Sequence, residues 1–207
     1  QYGVRRIEWV GTHAIDPEAV ESCLVTRERP RARLMLGLNA PSCGTPPFDS
    51  SPPTVELWSW PWSEWPLYDS AIFEVERERI QRYYQARGYY DAHVTGVQTF
   101  VADKPVDPEE CKGTGAACEL KIVVSLSEGQ PTYVERVSLT TATPLPKPLL
   151  RSLESGLHLS HGHRLDESDY DADKAELSRA LLETAYARAK VTGHVTVDPE
   201  RRRAYVE

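Results

Sequence analysis

Gly88-Tyr-Tyr-Asp-Ala-His-Val-Thr-Gly-Val-Gln-Thr-Phe100 decides the fold, because the chain writes much of it again 97 residues later. Laid over Ala185-Tyr-Ala-Arg-Ala-Lys-Val-Thr-Gly-His-Val-Thr-Val197, it keeps Tyr, Ala, Val, Thr, Gly and Thr, six of thirteen positions. Upstream, the same offset places Phe73, Ile80 and Tyr84 over Tyr170, Leu177 and Leu181. Their spacing of i, i+7, i+11 marks one face of an α-helix. Each copy is therefore an amphipathic helix that breaks at Gly or Ala and runs into a β-prone segment.

Working outward, each helix is preceded by a second matching pair. Val4-Arg-Arg-Ile-Glu-Trp-Val10 and Tyr133-Val-Glu-Arg-Val-Ser-Leu139 read as strands rich in β-branched and aromatic residues. A short helix with Pro near its start follows each: Asp16-Pro17 leading to Val25, then Pro144 to about Leu153. After each long helix comes a hairpin. In the first copy His93–Val101 joins Glu119–Leu126, and in the second His194–Val197 turns through Asp198-Pro-Glu-Arg-Arg to Ala204-Tyr-Val206. The expectation is an α+β chain of two tandem β-α-α-β-β modules. Each is a three-stranded mixed sheet, order 1-3-2, with two helices on one face. The polar turn Ser127-Glu-Gly-Gln-Pro131 marks the boundary, giving modules 1–128 and 129–207, the second truncated in its last strand. The first module carries a Pro-rich insertion at about 31–68 holding Trp58, Trp60, Trp62 and Trp65, four of the five tryptophans. A surface insertion of this kind is tolerated because loop-closure cost grows slowly with length.

Bulk properties narrow the function. The net charge of −7 supplies no long-range attraction for nucleic acid or anionic lipid. No apolar run reaches the ~18 residues of a membrane span, and no leader pattern begins at Gln1, so a signal peptide is expected to lie upstream or to have been removed. The chain as given is expected to be soluble. Four cysteines allow three pairings. Cys23–Cys43 and Cys111–Cys118 are favoured because each pair staples its own Gly-, Pro-, Ser- or Thr-rich loop, in an oxidising compartment such as a periplasm. Four reduced thiols in a cytosolic protein are the alternative.

Ile80-Gln-Arg-Tyr-Tyr-Gln-Ala-Arg-Gly-Tyr-Tyr-Asp-Ala-His-Val94 resembles the signature of POTRA (polypeptide-transport-associated) domains, in which I-x-x-Y-Y-x-x-x-G-Y leads into x-D-A-x-V. Leu177 to Val197, with Ala204-Tyr-Val206 after it, is similar to the same family, although Ala185 stands where Gly is expected and the Trp-rich insertion lies outside the minimal domain. The resemblance implies tandem periplasmic modules tethered to the outer membrane by a C-terminal β-barrel, as in BamA-like and TamA-like proteins. The implied partners are unfolded outer-membrane or secreted polypeptides and accessory periplasmic proteins or lipoproteins.

Strand order 1-3-2 leaves the second strand of each module as an edge that an extended client could join by main-chain hydrogen bonds. The candidate edges are Val94–Phe100 and Val191–Val197, with Val94, Val97, Thr99, Val195 and Val197 as contact residues; bulges at Gly96 and Gly193 could instead protect them. The Trp cluster is either an aromatic contact surface, a membrane-interface anchor, or packing of the insertion onto its own domain. His158, His161 and His163 lie in a loop without ligand-orienting register, so no metal site is expected. Asp169, Asp171 and Asp173 imitate an EF-hand loop, but Lys174 and Ala180 occupy its Gly and Glu positions; acidic residues at a helix start suit the helix dipole instead. Arg77, Arg79, Arg82 and Arg87 alternate with Glu74, Glu76 and Glu78 along one helix and are expected to form a solvated face with i,i+4 pairs. No catalytic constellation is present in a supporting context, so neither enzyme activity nor a cofactor is expected. Rival functions are an interaction domain of a cell-division or two-partner-secretion protein, or a glycan-binding module built on the Trp insertion.

Overall fold

The computed structural model describes residues 2–35, 43, 54–58, 66–107, 111, 118–184, 186 and 188–207. By the contacts its residues make, the chain forms two units: Gln1–Tyr83 with Ala92–Glu128, and Tyr84–Asp91 with Gly129–Glu207.

In the first unit, β1 (Gly3–Val10) leads to α1 (Pro17–Glu21), then to a two-stranded sheet of β2 (Arg33–Met35) and β3 (Thr54–Glu56) inside the insertion. The long helix α2 (Ser70–Gln85) follows, then β4 (His93–Val101), β5 (Lys104–Pro105) and β6 (Glu119–Ser127). The main sheet has the order β1-β6-β4-β5, with β1 parallel to β6 and β4 antiparallel to it. The three-stranded sheet expected from the sequence thus gains a fourth, two-residue strand. It exists because Ala102 and Asp103 both take positive φ, the geometry of a tight hairpin turn. Along β6 burial alternates: Leu120, Ile122, Val124 and Leu126 are buried and their neighbours half-buried. That alternation is the mark of a sheet packed on one face. Val4 and Ile7 from β1, Val20 from α1 and Phe73 and Ile80 from α2 are buried as well.

The second unit repeats the plan with β7 (Tyr133–Val137), α3 (Lys147–Ser155), α4 (Glu167–Glu183), β8 (Val195–Asp198) and β9 (Arg203–Val206). Its sheet is β7-β9-β8, again parallel then antiparallel. Its core is Val134, Leu159, Leu165, Ala204 and Val206, with Tyr170, Val195 and Val197 packed against it. Both first strands break register at the same place, between Val4 and Arg6 against β6 and between Val134 and Arg136 against β9.

Two short helices differ from their expected bounds. α1 stops at Glu21 rather than near Val25 because the Val25 and Thr26 N–H groups are taken by the Glu76 carboxylate. α3 begins at Lys147 rather than Pro144: Pro146 is its N-cap, with non-helical backbone angles (φ −58°, ψ 133°), and Pro148 sits in the first turn, where a missing N–H costs nothing.

Candidate binding edges

Each sheet has two outer strands, and their edges are treated differently. The outer edge of β1 is already bonded: Val4 N–H donates to the Pro66 carbonyl (2.8 Å), Tyr68 N–H to Tyr2 (2.9 Å) and Arg29 N–H to Val4 (3.0 Å). β7 is closed in the same way, with Val134 N–H donating to the His163 carbonyl and Gly162 N–H to the Val134 carbonyl, both at 2.8 Å. Among the described residues, the outer side of the middle strand of each β-α-α-β-β order, β4 up to Gln98 and β8, shows no backbone partner.

The open length is shorter than the sequence suggests. On β4, Phe100 and Val101 pair with β5, and the Thr99 carbonyl accepts from Val106 N–H (2.9 Å) while the Thr99 hydroxyl donates to the Val106 carbonyl (2.5 Å). Thr99 is therefore engaged. Since Thr99 directs its peptide groups away from β6, Val97, two residues earlier, does so too. The ladder shifts register between Val94 and Gly96, so β4 carries one extra residue there, the bulge that the sequence allowed for at Gly96. β8 covers Val195–Asp198 of the candidate span Val191–Val197, and just before it His194 and Glu207 exchange both backbone bonds (2.8 and 2.9 Å). That pair faces inward, so Thr196 and Asp198 do as well, and Val195 and Val197 present their peptide groups outward. Val94, Val97, Val195 and Val197 are all half-buried, so their side chains give a joining strand an apolar flank. Gly193 has another role than a bulge: a Cβ there would collide with the Tyr170 hydroxyl.

Trp58 follows β3 and is 52% exposed, beside the exposed Leu57 and the cross-strand pair Leu34 and Val55. Trp60, Trp62 and Trp65 lie outside the described residues. Both favoured disulfides are formed, Cys23–Cys43 with Cα atoms 4.7 Å apart and Cys111–Cys118 with 5.6 Å.

The histidines go to separate partners, His158 Nδ1 to Asp173 (2.7 Å) and His161 Nδ1 to the Glu135 carbonyl (2.8 Å). Among the described residues no cluster could hold a metal ion. The hydrogen bond from Asp173, and then its charge, raise the His158 pKa above the usual histidine value. Asp173 itself was misread as a helix-start acid. It is buried inside α4 and also accepts from His158 N–H (2.7 Å) and Leu159 N–H (2.9 Å). Glu76 stands 97 positions earlier and does the same for Val25 N–H and Thr26 N–H (2.7 Å to the latter), so it is fully buried on α2 instead of on the solvated face expected of it, and Arg87 is buried as well. The repeat includes the helix N-caps too: Asp69 accepts from Ala71 N–H and Asp166 from Ser168 N–H, each at 2.8 Å. The signal was an acid at equal offset in both copies on the apolar side of a helix.

The family model for POTRA, described as surface antigen variable number repeat, matches residues 2–129. The chain belongs to the POTRA family. No curated protein matches it. Among solved structures, the chain is similar to Haemophilus influenzae BamA POTRA3-5 at 16% identity and TM-score 0.40, covering 99% of this chain and 64% of that one. It is similar to POTRA1-3 of the periplasmic domain of Omp85 from Anabaena at 14% identity and TM-score 0.36, covering 99% of this chain and 60% of that one. For POTRA1-2 of the same Anabaena protein the identity is 14%, the TM-score 0.36 and the coverage 99% and 93%. The chain thus spans less than two thirds of the BamA and three-domain Omp85 structures it resembles. The POTRA signature residues Tyr84–Asp91 belong to the second unit: Gly88, at φ +85°, accepts Thr132 N–H at its carbonyl (2.8 Å), and Glu167 N–H donates to Ala86 (2.8 Å). A side chain at Gly88 would strike the Leu165 carbonyl, which accounts for glycine at this position of the chain.

Proposed function

We propose that this chain is a pair of periplasmic polypeptide-binding and scaffolding POTRA modules. They serve an outer-membrane protein that assembles or translocates β-barrel or secreted polypeptides, and they work by binding rather than by chemistry. Clients add as an extra strand to the open outer edges of β4 and β8. The observation that carries this reading is the asymmetry of the edges: β1 and β7 are closed by their own chain, while Val97, Val195 and Val197 direct peptide groups outward. Main-chain bonding depends little on client sequence, which suits a receptor for many polypeptides.

The test is an NMR titration with an extended peptide of about ten residues, alternating apolar and polar. Amides of β4 and β8 should shift, and peptides with scrambled order but the same alternation should bind similarly. Val97→Pro and Val195→Pro each delete one outward N–H on an edge strand, where proline is tolerated. One backbone hydrogen bond is worth about 0.5–1.5 kcal/mol, so each variant should weaken its own edge by roughly 2–10-fold. A shift map centred elsewhere, or proline variants that bind unchanged, would show the edges are not the site.

A further inference from the structure

The outer edge of β4 does not run to the end of the strand, because the chain folds a short strand of its own over the last residues. β4 turns at Ala102 and Asp103, both with positive φ (48° and 62°), and returns as β5, with Lys104 opposite Val101 and Pro105 opposite Phe100. Val106 carries the ladder one residue further: its N–H donates to the Thr99 carbonyl (2.9 Å), and its carbonyl accepts from the Thr99 hydroxyl (2.5 Å). Thr99 and Val101 are the outward-facing residues of this stretch, and both are taken up by β5 and its continuation. Since Lys104 and Val106 face β4, Pro105 between them faces away from it, where it has a carbonyl but no N–H. Lys104 and Pro105 are both exposed, and lysine and proline are the residues that blunt a sheet edge against further pairing. β5 is also tied down at both ends. Lys121 of β6 reaches its turn, with Nζ 3.6 Å from the Asp103 carboxylate and 5.2 Å from the centre of the Phe100 ring. Beyond Val106 the chain runs to Cys111, which is bonded to Cys118, the residue just before β6. In the second unit β8 turns directly into β9, and among the described residues no strand lies outside it.

We infer that β5 is a stop on the client edge of the first unit: it confines strand addition on β4 to residues 94–98, and so sets the length and register of the segment bound there. The residues that determine this are Thr99 and Val106, whose two bonds close the edge, and Pro105, which offers no donor on the far side. A strand arriving along β4 reaches at Thr99 peptide groups that are already bonded, and it cannot step across to β5 and continue there. The β8 edge carries no such stop, so the two edges select segments of different length. This inference rests on the strand addition proposed above for β4.

The experiment uses the double variant Thr99→Val with Val106→Pro, which removes both bonds between these residues and leaves the β4–β6 ladder intact. Alternating apolar–polar peptides of about five and about ten residues are titrated by NMR into the parent and the variant. Exchange of the Val101 amide should be at least about tenfold faster in the variant, the sign that β5 has been released. In the parent, both peptides should shift amides of 94–98 and stop short of Val101. The longer peptide should bind the variant at least about fivefold tighter than the parent, with shifts reaching Val101, and the shorter should bind both within about twofold. Shifts that reach Val101 in the parent, no gain for the longer peptide in the variant, or Val101 exchange unchanged by the substitutions would each overturn the stop. Those results leave strand addition at 94–98 standing. Silence of the 94–98 amides toward both peptides would instead remove the proposed strand addition, and this inference with it.

Discussion

Replacing Asp173 with Ala tests whether a buried carboxylate, rather than the core leucines alone, holds the second unit together. Asp173 is 5% exposed and accepts three hydrogen bonds, from His158 N–H, His158 Nδ1 and Leu159 N–H. The alanine variant strands two backbone N–H groups in a place water reaches poorly, at about 1–3 kcal/mol each. The imidazole contact is solvent-exposed and contributes little. The expected loss is about 2–6 kcal/mol, a large share of what a small unit has in total. Asp173→Asn keeps the shape and one acceptor but turns an amide N–H toward a backbone N–H, so it should cost about 2–3 kcal/mol. All five tryptophans lie in the first unit, at Trp65 or earlier, so fluorescence in urea follows that unit and exchange of the Leu159 amide follows the second. Asp173→Ala should lower the second transition and spare the first, and Glu76→Gln should do the reverse. If Asp173→Ala leaves the second unit within about 0.5 kcal/mol of the parent, the carboxylate is not structural and the argument from the repeat is wrong.

The His158–Asp173 contact gives the second unit a pH dependence of defined sign. A folded-state histidine pKa above the ordinary value of about 6.5 means stabilisation that is complete below that value and fades as pH rises through the folded pKa. Titration of the ring by NMR should place His158 above 6.5, and His158→Gln should flatten stability across pH 6–8; an unshifted ring would contradict the geometry. Cys23→Ser with Cys43→Ser should lower the first unit's stability by about 3 kcal/mol from loop entropy, and reduction, which also opens Cys111–Cys118, should lower it by about 5 kcal/mol, both read from its tryptophan transition. A fragment beginning at Gly129 leaves Thr132 and Glu167 without their carbonyl partners Gly88 and Ala86. It should be less stable than the second unit within the full chain by about 1–3 kcal/mol, and equal stability of the Leu159 amide against exchange in the two would count against assigning Tyr84–Asp91 to the second unit.

The parts of the fold legible in the sequence are those written in periodicity. Phe73 and Ile80 over Tyr170 and Leu177 announced two equivalent helices, and β-branched runs before and after them announced the strands. Strand order followed from the family pattern and appears in both sheets. Illegible were features made by single polar groups acting at long range. Nothing local shows that Glu76 will end α1 by taking Val25 and Thr26 N–H, because the donor and acceptor are about fifty residues apart in sequence. Nor does a strand's composition say which edge its own chain will cover. Val4 and Val97 are both valines in β-prone runs, yet the Val4 N–H is bound by Pro66 and Val97 faces outward. Even so, the repeat held the information that single positions lacked. An acid at one position on an apolar helix face is noise, but Glu76 and Asp173 at the offset shared by Asp69 and Asp166 are a pattern. Comparing the copies for polar as well as apolar matches would have found the two carboxylates before any coordinates. The same comparison supports the proposed client edges. Among the described residues both copies leave the same edge without a backbone partner, while both close the opposite edge with unrelated loops, which is what one shared use of that edge predicts.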